Sequence, residues 1–317
     1  MKNIYIGVVV FLVEITLQAF WIRFQRLGFF NAAQKQKDYG PSIVEKKAST
    51  PSMGGIIFII ISVVLCITGN ADYKIWLFAI ACGVIGIIDD GLKSFQHSSE
   101  GFSSLRKLLL QIIFSSVYAL VICRSYDIKL WGNVSSPVLI SFLLIIFFSV
   151  GLQNAVNVTD GLDGLAAGTV ALSLAAIAVF KGELSYDVAV AFGMVIGFLW
   201  HNSHPASVFM GDVGSHFLAG LLFSLILFNG SILLILPITF LFGVEILSVA
   251  VQIFSIRIFD RRIFRMAPLH HHFQRLERKV DYIVPSANWE ETVIVNRFYI
   301  AHICGMALLY VIFWRVL

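Results

Sequence analysis

Adjacent aspartates, Asp89 and Asp90, end an uncharged apolar run that extends from residue 75 to residue 88. Three further aspartates, Asp160, Asp163 and Asp212, stand in similar places, just outside other apolar runs. Only 19 of the 317 residues are acidic, so five carboxylates in three short segments form a concentration. Carboxylates at the edge of a bilayer are costly unless a cation or a polar substrate meets them. Mg2+ suits such oxygen ligands, since it is usually held by one or two carboxylates and substrate phosphate.

We therefore expect one or two of these carboxylates to hold a metal ion and the others to bind substrate or take a proton. Helix capping is the plainer alternative for Asp160, Asp163 and Asp212, because each precedes an apolar run. Capping does not explain Asp89 and Asp90, which end a run, where the helix dipole disfavours anions. The spacing from Asp160 to Asp163 does not match an EF-hand calcium loop.

Three consecutive imidazoles, His270, His271 and His272, lie in a segment rich in arginine. Neighbouring side chains on one segment cannot all converge on a single zinc ion. Imidazoles beside arginines suit an anionic ligand such as a diphosphate better. A solvated loop that happens to be rich in histidine is the alternative.

Polar residues also border other apolar runs. Lys47 and Ser52 precede a pair of glycines at the start of an apolar run, where lysines and hydroxyls can hold phosphate or a polar base. A basic loop flank followed by a proline at a helix start has the same pattern. Lys93 lies one helical turn beyond the aspartate pair. Phe209 could stack on an aromatic base, and packing alone is an equal alternative.

These residues need a scaffold, and the composition indicates a membrane protein. Hydrophobic residues make up 58% of the chain and charged residues 13%, whereas soluble domains contain about half and about a quarter. Long apolar runs predict helices, which satisfy their own backbone hydrogen bonds in lipid. We predict an all-α integral membrane protein, a single polytopic membrane domain over residues 1–317 with about ten transmembrane helices, in a range of eight to eleven. The expected spans are 4–22, 54–69, 74–88, 106–123, 137–155, 162–180, 186–201, 215–229, 231–256 and 298–315.

The ninth of these spans is predicted to be broken or kinked, because it contains Pro237 and Gly243. The same span carries Glu245 and Gln252, one heptad apart.

The lysines and arginines predict the orientation in the membrane. With ten spans, 17 of the 23 basic residues fall on one face, which by the positive-inside rule is cytoplasmic. Both termini then lie outside, and all five aspartates lie on the cytoplasmic side. The expected cytoplasmic segments are about 23–53, 89–107, 156–161, 202–214 and 257–297.

Taken together, the segments resemble the polyprenyl-phosphate N-acetylhexosamine-1-phosphate transferases, and within that superfamily the phospho-N-acetylmuramoyl-pentapeptide transferase family. The matching pieces occur in the family's order along nearly the whole chain, and the last two together are highly specific. They are residues 50–55, Asp89-Asp90-x-x-Lys93, residues 154–164, Phe209-Met-Gly-Asp212-Val-Gly-Ser215 and Pro268-Leu-His270-His271-His272-Phe273. Two departures are Ser49-Thr50-Pro51-Ser52, where the family usually has Gly-Thr-Pro-Thr, and Gln274, where it often has Glu.

The resemblance implies ten transmembrane helices, a homodimer, and a cytoplasmic cleft with a Mg2+ cofactor in the bacterial cytoplasmic (inner) membrane. It implies transfer of phospho-MurNAc-pentapeptide from UDP-MurNAc-pentapeptide to undecaprenyl phosphate, which gives lipid I and UMP. The partners would be these two substrates and the lipid bilayer, with no nucleic acid. Such an enzyme serves peptidoglycan synthesis, and through it cell wall biogenesis, cell shape and cell division.

The resemblance also suggests roles for individual residues. Asp212 would hold Mg2+ on the diphosphate, and Asp89 would act as general base with support from Asp90. A phosphate with a second pKa of about 6 has little proton to lose, so direct attack and a covalent aspartyl-phosphate stay open. We expect Asp89, Asp160 and Asp212 to gather around the ion. The substrate-binding residues would be Lys47, Ser52, Lys93, Asn157, Asp160, Asp163, Asn202, Phe209, Gln252, His270, His271 and His272, with Lys47, Asp160 and Phe209 at the uracil, and His270 and His271 at the phosphates.

Three other functions are compatible with parts of this pattern. A UDP-GlcNAc:polyprenyl-phosphate GlcNAc-1-phosphate transferase would need the same acids and would differ in what the 257–297 segment accepts. A secondary transporter would place its acids at the bilayer midplane on broken helices. A CDP-alcohol phosphotransferase would have Arg after Asp-Gly-x-x-Ala, where Ala167 stands.

Overall fold

Helices make up almost all of the regular secondary structure. The structure is a computed structural model that describes residues 1–27, 50–69, 71–95, 101–132, 134–275 and 280–316. The helices are α1 (Lys2–Arg26), α2 (Gly55–Ile67), α3 (Tyr73–Phe95), α4 (Ser104–Ser125), α5 (Val138–Thr159), α6 (Leu165–Lys181), α7 (Tyr186–Asn202), α8 (Gly211–Asn229), α9 (Ile235–Ile238), α10 (Phe240–Phe259), α11 (Leu269–Phe273) and α12 (Glu291–Val316). Two short strands, β1 (Lys129–Trp131) and β2 (Val134–Ser135), pair antiparallel between α4 and α5.

Seven of the described helices are long and apolar enough to cross a membrane: α1, α3, α4, α5, α8, α10 and α12. The predicted spans 54–69, 162–180 and 186–201 fold as α2, α6 and α7, which have 13, 17 and 17 residues. A helix needs about 20 residues to cross a hydrocarbon core of about 30 Å. The seven long apolar helices confirm the all-α integral membrane class. Because α2, α6 and α7 are shorter than a full crossing, the number of ten crossings stays a prediction.

The segment predicted as the ninth span is divided into three helical pieces. A 3-10 turn (Ile232–Leu234) and the four-residue α9, which contains Pro237, precede α10. Thr239, between α9 and α10, has the non-helical angles φ −108° and ψ 27°. The break lies two residues after the proline, which has no backbone N–H to donate. A kink within the long helix itself stays a prediction.

Helix α8 lies at the centre of the fold. Its most apolar 18-residue segment is 89% buried, against 17% for the corresponding segment of α1. Glycines allow two other helices to approach the start of α8 closely. A Cβ atom at Gly86 of α3 would overlap the backbone of Asp212, and one at Gly55 of α2 would overlap the backbone of Gly214. Large apolar side chains of α1, α4 and α5 are exposed, among them Leu12, Leu109 and Leu143, as contact with lipid allows.

Several polar residues that were expected in loops belong to helices instead. Helix α3 continues past the predicted end at residue 88 and carries Asp89 and Asp90 within its last two turns. Lys93 lies three and four residues beyond them and pairs with both, which offsets the unfavourable placement of anions near a helix C-terminus. Asn157 lies in the last turn of α5, and Asp212 lies in the first turn of α8.

Candidate active site

Carboxylates from two distant parts of the chain meet at one end of the helix bundle. Oxygen atoms of Asp89, Asp90 and Asp212 lie within 4.8 Å of one another. Helix α3 supplies the first two, and the first turn of α8 supplies the third. The Asp89 and Asp90 side chains are 1% and 4% exposed, and that of Asp212 is 13% exposed. We call these three residues the acidic centre.

Two lysine ammonium groups lie between the carboxylates. Lys93 Nζ is 2.6 Å from Asp89 Oδ2 and 2.7 Å from Asp212 Oδ2, and it lies 3.5 Å from Asp90 Oδ1. Lys107, from the first turn of α4, has its Nζ 2.6 Å from Asp212 Oδ2 and 3.0 Å from Asp89 Oδ2. When all five groups are ionised, one negative charge is in excess. Sequence reasoning counted Lys107 only toward the membrane orientation and missed it as a site residue.

Hydrogen bonds from neighbouring elements fix how the carboxylates are turned. The backbone N–H of Val213 donates to Asp90 Oδ2 over 3.1 Å. The side-chain amide of Asn157 donates to Asp212 Oδ1 over 2.7 Å. These bonds occupy oxygens on the side away from the lysines. Charge-assisted hydrogen bonds of this kind are among the stronger ones in proteins.

Asp89 is covered by the segment that enters α4. Its Oδ1 accepts the backbone N–H of Phe102 over 2.7 Å. A Cβ atom at Gly101 would crowd the same carboxyl group. A glycine at this position therefore lets the chain pass close enough for its backbone to reach Asp89.

The donor set of the acidic centre fits a hard divalent cation. All of its candidate ligands are carboxylate oxygens, which Mg2+ prefers over nitrogen or sulfur. Both ammonium groups lie between Asp89 and Asp212, so oxygens of these two residues already converge on shared positions for a cation. Asp212 has the most exposed carboxyl of the three and is the one best placed to share an ion with a substrate.

The histidine segment packs against the turn that joins α5 to α6. A Cβ atom at Gly161 would overlap His270 Nε2 and would lie 3.2 Å from His271 Nε2, so both rings face the turn that carries Asp160. His270 is completely buried, and its backbone N–H donates to Glu245 Oε1 over 3.2 Å. The same oxygen lies 3.3 Å from His270 Nδ1. Glu245 of α10 thus holds the start of α11.

Comparison with known proteins identifies the family. Residues 72–230 match the family model described as Glycosyl transferase family 4, and residues 47–59 match phospho-N-acetylmuramoyl-pentapeptide-transferase signature 1. The phospho-N-acetylmuramoyl-pentapeptide-transferase of Dictyoglomus turgidum is 36% identical over 313 residues, which cover 96% of this chain and 95% of the relative. The protein of the same name from Bacillus subtilis is 36% identical over 310 residues, which cover 92% of this chain and 91% of the relative. The one from Rubrobacter xylanophilus is 35% identical over 337 residues, which cover 99% of this chain and 98% of the relative.

The chain belongs to the phospho-N-acetylmuramoyl-pentapeptide-transferase family. The resemblance that the motifs indicated is therefore confirmed. The Glycosyl transferase family 4 match contains the whole acidic centre together with Lys93 and Lys107. The histidine segment lies beyond that match and within the length covered by the relatives.

In this member of the transferase family the five predicted aspartates do not all lie at one place. Asp163 belongs to a second group, in which its Oδ2 lies 2.9 Å from His204 Nδ1 and its backbone N–H donates to Glu291 Oε1 over 2.7 Å. Among the described residues, Asp160 is in neither of these close groups, and its gathering with Asp89 and Asp212 around one ion stays a prediction. The turn that carries Asp160 lies against the histidine segment at Gly161.

Two predicted substrate-binding residues anchor the segment between α10 and α12. His272 Nδ1 accepts the backbone N–H of Arg265 over 3.0 Å, and its Nε2 donates to the carbonyl of Pro285 over 3.2 Å. Burial lowers the pKa of His272, the hydrogen bond to the Pro285 carbonyl opposes this shift, and the Arg265 cation lowers the pKa further. Because Nδ1 accepts an N–H, it carries no proton and the ring is neutral. The Gln252 amide bonds the backbone of Phe264 in both directions, at 2.9 and 3.0 Å. Substrate contact by either residue stays a prediction.

Asn202 and Phe209 connect the segment between α7 and α8 to its neighbours. Asn202 Oδ1 accepts the N–H of Gly164 over 3.2 Å, and its amide donates to the carbonyl of Val208 over 2.9 Å. The backbone N–H of Phe209 donates to the carbonyl of Pro51 over 2.8 Å. Both therefore have clear roles in the fold, and their contact with a nucleotide stays a prediction.

The segment before α2 contains Lys47 and Ser52, the two remaining residues that were predicted to bind substrate. Lys47 lies outside the described residues. Ser52 is buried, and its backbone carbonyl accepts the Gln25 side-chain amide over 2.6 Å. Its hydroxyl makes no hydrogen bond with any residue that the structure describes.

Proposed function

We propose that the protein transfers phospho-MurNAc-pentapeptide from UDP-MurNAc-pentapeptide to undecaprenyl phosphate, forming lipid I and releasing UMP in peptidoglycan synthesis. The observation that carries the proposal is the acidic centre of Asp89, Asp90 and Asp212, interleaved with Lys93 and Lys107 at one end of a bundle of apolar helices. The family's name supplies the substrates.

The charges of the acidic centre suit a reaction between two anionic partners. In the proposed reaction an oxygen of the lipid phosphate forms a bond to the sugar-linked phosphorus as the bond from that phosphorus to UMP breaks. Catalysis of such transfers rests mainly on positioning and charge neutralisation. Lys93 and Lys107 bring two positive charges to the place where the phosphates would meet.

We propose that Asp212 holds Mg2+, with Asp89 close by. When bound, the ion would neutralise charge on the diphosphate and on the leaving UMP. Asn157 keeps the Asp212 carboxylate turned toward the lysines through its 2.7 Å hydrogen bond. Asp90 is fixed by the Val213 amide and supports the two other carboxylates.

Asp89 is the candidate general base for the lipid phosphate. The phosphate loses its second proton with a pKa of about 6, so attack by the dianion without a base is an equal alternative. Both Asp89 oxygens are engaged, one by the Phe102 amide and one by the two lysines. These contacts suit a role for Asp89 in orienting the two lysines.

The nucleotide end of the substrate is proposed to lie at the turn between α5 and α6. The turn carries Asp160, and the rings of His270 and His271 face it. In this arrangement the histidines would hold phosphate, and Asp160 would bind uracil. The remaining proposed substrate contacts are Lys47, Ser52, Lys93, Asn157, Asp163, Asn202, Phe209, Gln252 and His272.

A groove beside the C-terminal half of α10 suits the polyprenyl chain. Its cavity of about 720 Å³ is lined mainly by apolar side chains, among them Val251, Phe254 and Ile283. Arg261 lies in the same wall and offers a positive charge for an anionic head group. The proposed enzyme would work as a homodimer in the bacterial cytoplasmic membrane, with the acidic centre facing the cytoplasm.

The proposal is tested by release of UMP from UDP-MurNAc-pentapeptide and undecaprenyl phosphate by the purified, detergent-solubilised protein. We expect release that requires both substrates and Mg2+, and a fall of at least about 100-fold in kcat for Asp212→Asn. Full activity of that variant would overturn the metal assignment. Faster turnover of UDP-GlcNAc would favour the GlcNAc-1-phosphate transferase instead.

A further inference from the structure

His216, a completely buried histidine, lies one helical turn after Asp212 in α8. Its Nδ1 is 2.9 Å from the backbone carbonyl oxygen of Asp212. Its Nε2 is 3.1 Å from the side-chain nitrogen of Gln111 in α4. A carbonyl oxygen can only accept, so Nδ1 carries the proton and Nε2 accepts from Gln111. The contacts therefore define a neutral imidazole with one tautomer.

The next link in the chain of hydrogen bonds fixes the direction of the Gln111 amide. The oxygen of Gln111 accepts from the side-chain amide of Asn154 in α5 over 2.8 Å. The bonds therefore run in one direction, from Asn154 through Gln111 and His216 to the Asp212 carbonyl. Three helices are joined by polar groups in an otherwise apolar interior, where leaving one of these groups without a partner is costly.

The same two neighbouring helices also hold the carboxylate end of Asp212. Lys107 lies one turn before Gln111 on the same face of α4 and pairs with the Asp212 carboxylate over 2.6 Å. From α5, Asn157 donates to that carboxylate over 2.7 Å, three residues beyond Asn154. Helices α4 and α5 thus each contribute one contact to the Asp212 carboxylate and one residue to the series of hydrogen bonds that ends at the Asp212 carbonyl.

We propose that His216, with Gln111 and Asn154, positions Asp212 by fixing the first turn of α8. The inference rests on the proposed function, in which Asp212 holds the cation. His216 touches no reacting atom in this scheme. It keeps the Asp212 carboxylate at the distance where Lys93, Lys107 and a divalent cation share its oxygens.

The test uses the full-length protein in detergent and compares His216→Leu, His216→Asn and Gln111→Leu with wild type. For each protein, Mn2+ binding is measured from the EPR signal of the free ion, and UMP release is measured in parallel. We expect His216→Leu to weaken Mn2+ binding about tenfold or more and to lower kcat while KM for the UDP-sugar changes little. His216→Asn keeps a donor for the Asp212 carbonyl and should recover a large part of both losses.

The double variant His216→Leu/Gln111→Leu should cost little more than either single change, because both break the same chain. Tyr118→Phe is the matched control, since it removes a buried hydrogen bond between the same two helices, from Tyr118 to Ser224, away from the acidic centre. It should leave Mn2+ binding and kcat unchanged. The inference is overturned if His216→Leu behaves like Tyr118→Phe, or if His216→Asn recovers nothing.

The outcome is separable from failure of the proposed function. If Asp212→Asn retains full activity and Mn2+ affinity, the metal assignment is lost. In that case a kcat loss in His216→Leu that His216→Asn reverses would still support a positioning role, and unchanged kcat would end it.

Discussion

At the scale of single residues, the acidic centre depends on lysines as much as on aspartates. Each ammonium group contacts Asp89 and Asp212 at 2.6 to 3.0 Å. Three carboxylates brought this close repel one another strongly at low dielectric. The lysines offset part of that repulsion, and a bound divalent cation would supply the further positive charge that incoming phosphates need.

Lys107 permits a direct test of this role. Lys107→Met should lower kcat by about 100-fold or more, because a preorganised charge near the reacting phosphates is lost while Lys93 remains. Arg106→Met is the matched control, since Arg106 is an exposed cation on the same turn of α4. UMP release at saturating substrates measures both. Equal kcat values for the two variants would contradict a role for Lys107 in the site.

The sequence predicted the chemistry of individual residues better than their neighbourhoods. Asp89, Asp90 and Asp212 were recognisable because carboxylates are rare in this chain and stand at the ends of apolar runs. Lys107 and His216 were not, because their roles depend on how α4 packs against α8. A single sequence gives polarity and period along a helix and no distance between helices. The separation of Asp163 into a second group was missed for the same reason.

At the scale of elements, close helix packing sets the geometry of the acidic centre. Most of the predicted spans correspond to helices, since long apolar runs leave the backbone little alternative in lipid. Their ends differ from the prediction where a side chain compensates, as Lys93 does in α3. The shared boundary of α3 and α8 depends on Gly86, whose missing side chain admits the backbone of Asp212.

Replacement of Gly86 tests this packing. Gly86→Ala should separate α3 from α8, with a loss of about 1–3 kcal/mol in stability and a clear loss of kcat, because Asp89 and Asp212 would move apart. Gly91→Ala, on the same helix, is the control, since a Cβ there meets nothing within 4 Å. Thermal unfolding in detergent and UMP release are the measurements. A Gly86→Ala variant as stable and active as Gly91→Ala would contradict the argument.

The segment between α10 and α12 should respond to pH through His272. Burial lowers the pKa of His272 in the folded protein below its ordinary value of 6.5, with Arg265 adding to the effect. The unfolded state then binds the proton more readily, so stability falls as the pH drops below 6.5. We expect the Tm to fall between about pH 7.5 and about pH 5.5, and to fall less in His272→Gln. An identical pH response of the two proteins would contradict this.

At the scale of the whole molecule, function depends on which face of the membrane the acidic centre occupies. The proposed nucleotide-linked substrate would be water-soluble and would reach only one side, whereas the proposed polyprenyl chain would stay in the bilayer. With ten crossings, the bias of 17 among 23 basic residues predicts that the segment that follows α10 lies in the cytoplasm. The same argument predicts that the connection between α6 and α7 lies outside. These two segments therefore provide markers for opposite faces.

Labelling of single cysteines decides the orientation. In a variant whose four native cysteines are replaced by alanine, Glu183→Cys marks the connection between α6 and α7, and Asp281→Cys marks the segment before α12; both positions are exposed. A membrane-impermeant maleimide should label only Glu183→Cys in intact cells and both after permeabilisation, because charged loops do not re-cross the bilayer. The permeabilised sample controls for intrinsic reactivity. The opposite pattern would put the acidic centre outside. It would contradict the proposed reaction, which requires the acidic centre and the nucleotide-linked substrate to be on the same side of the membrane.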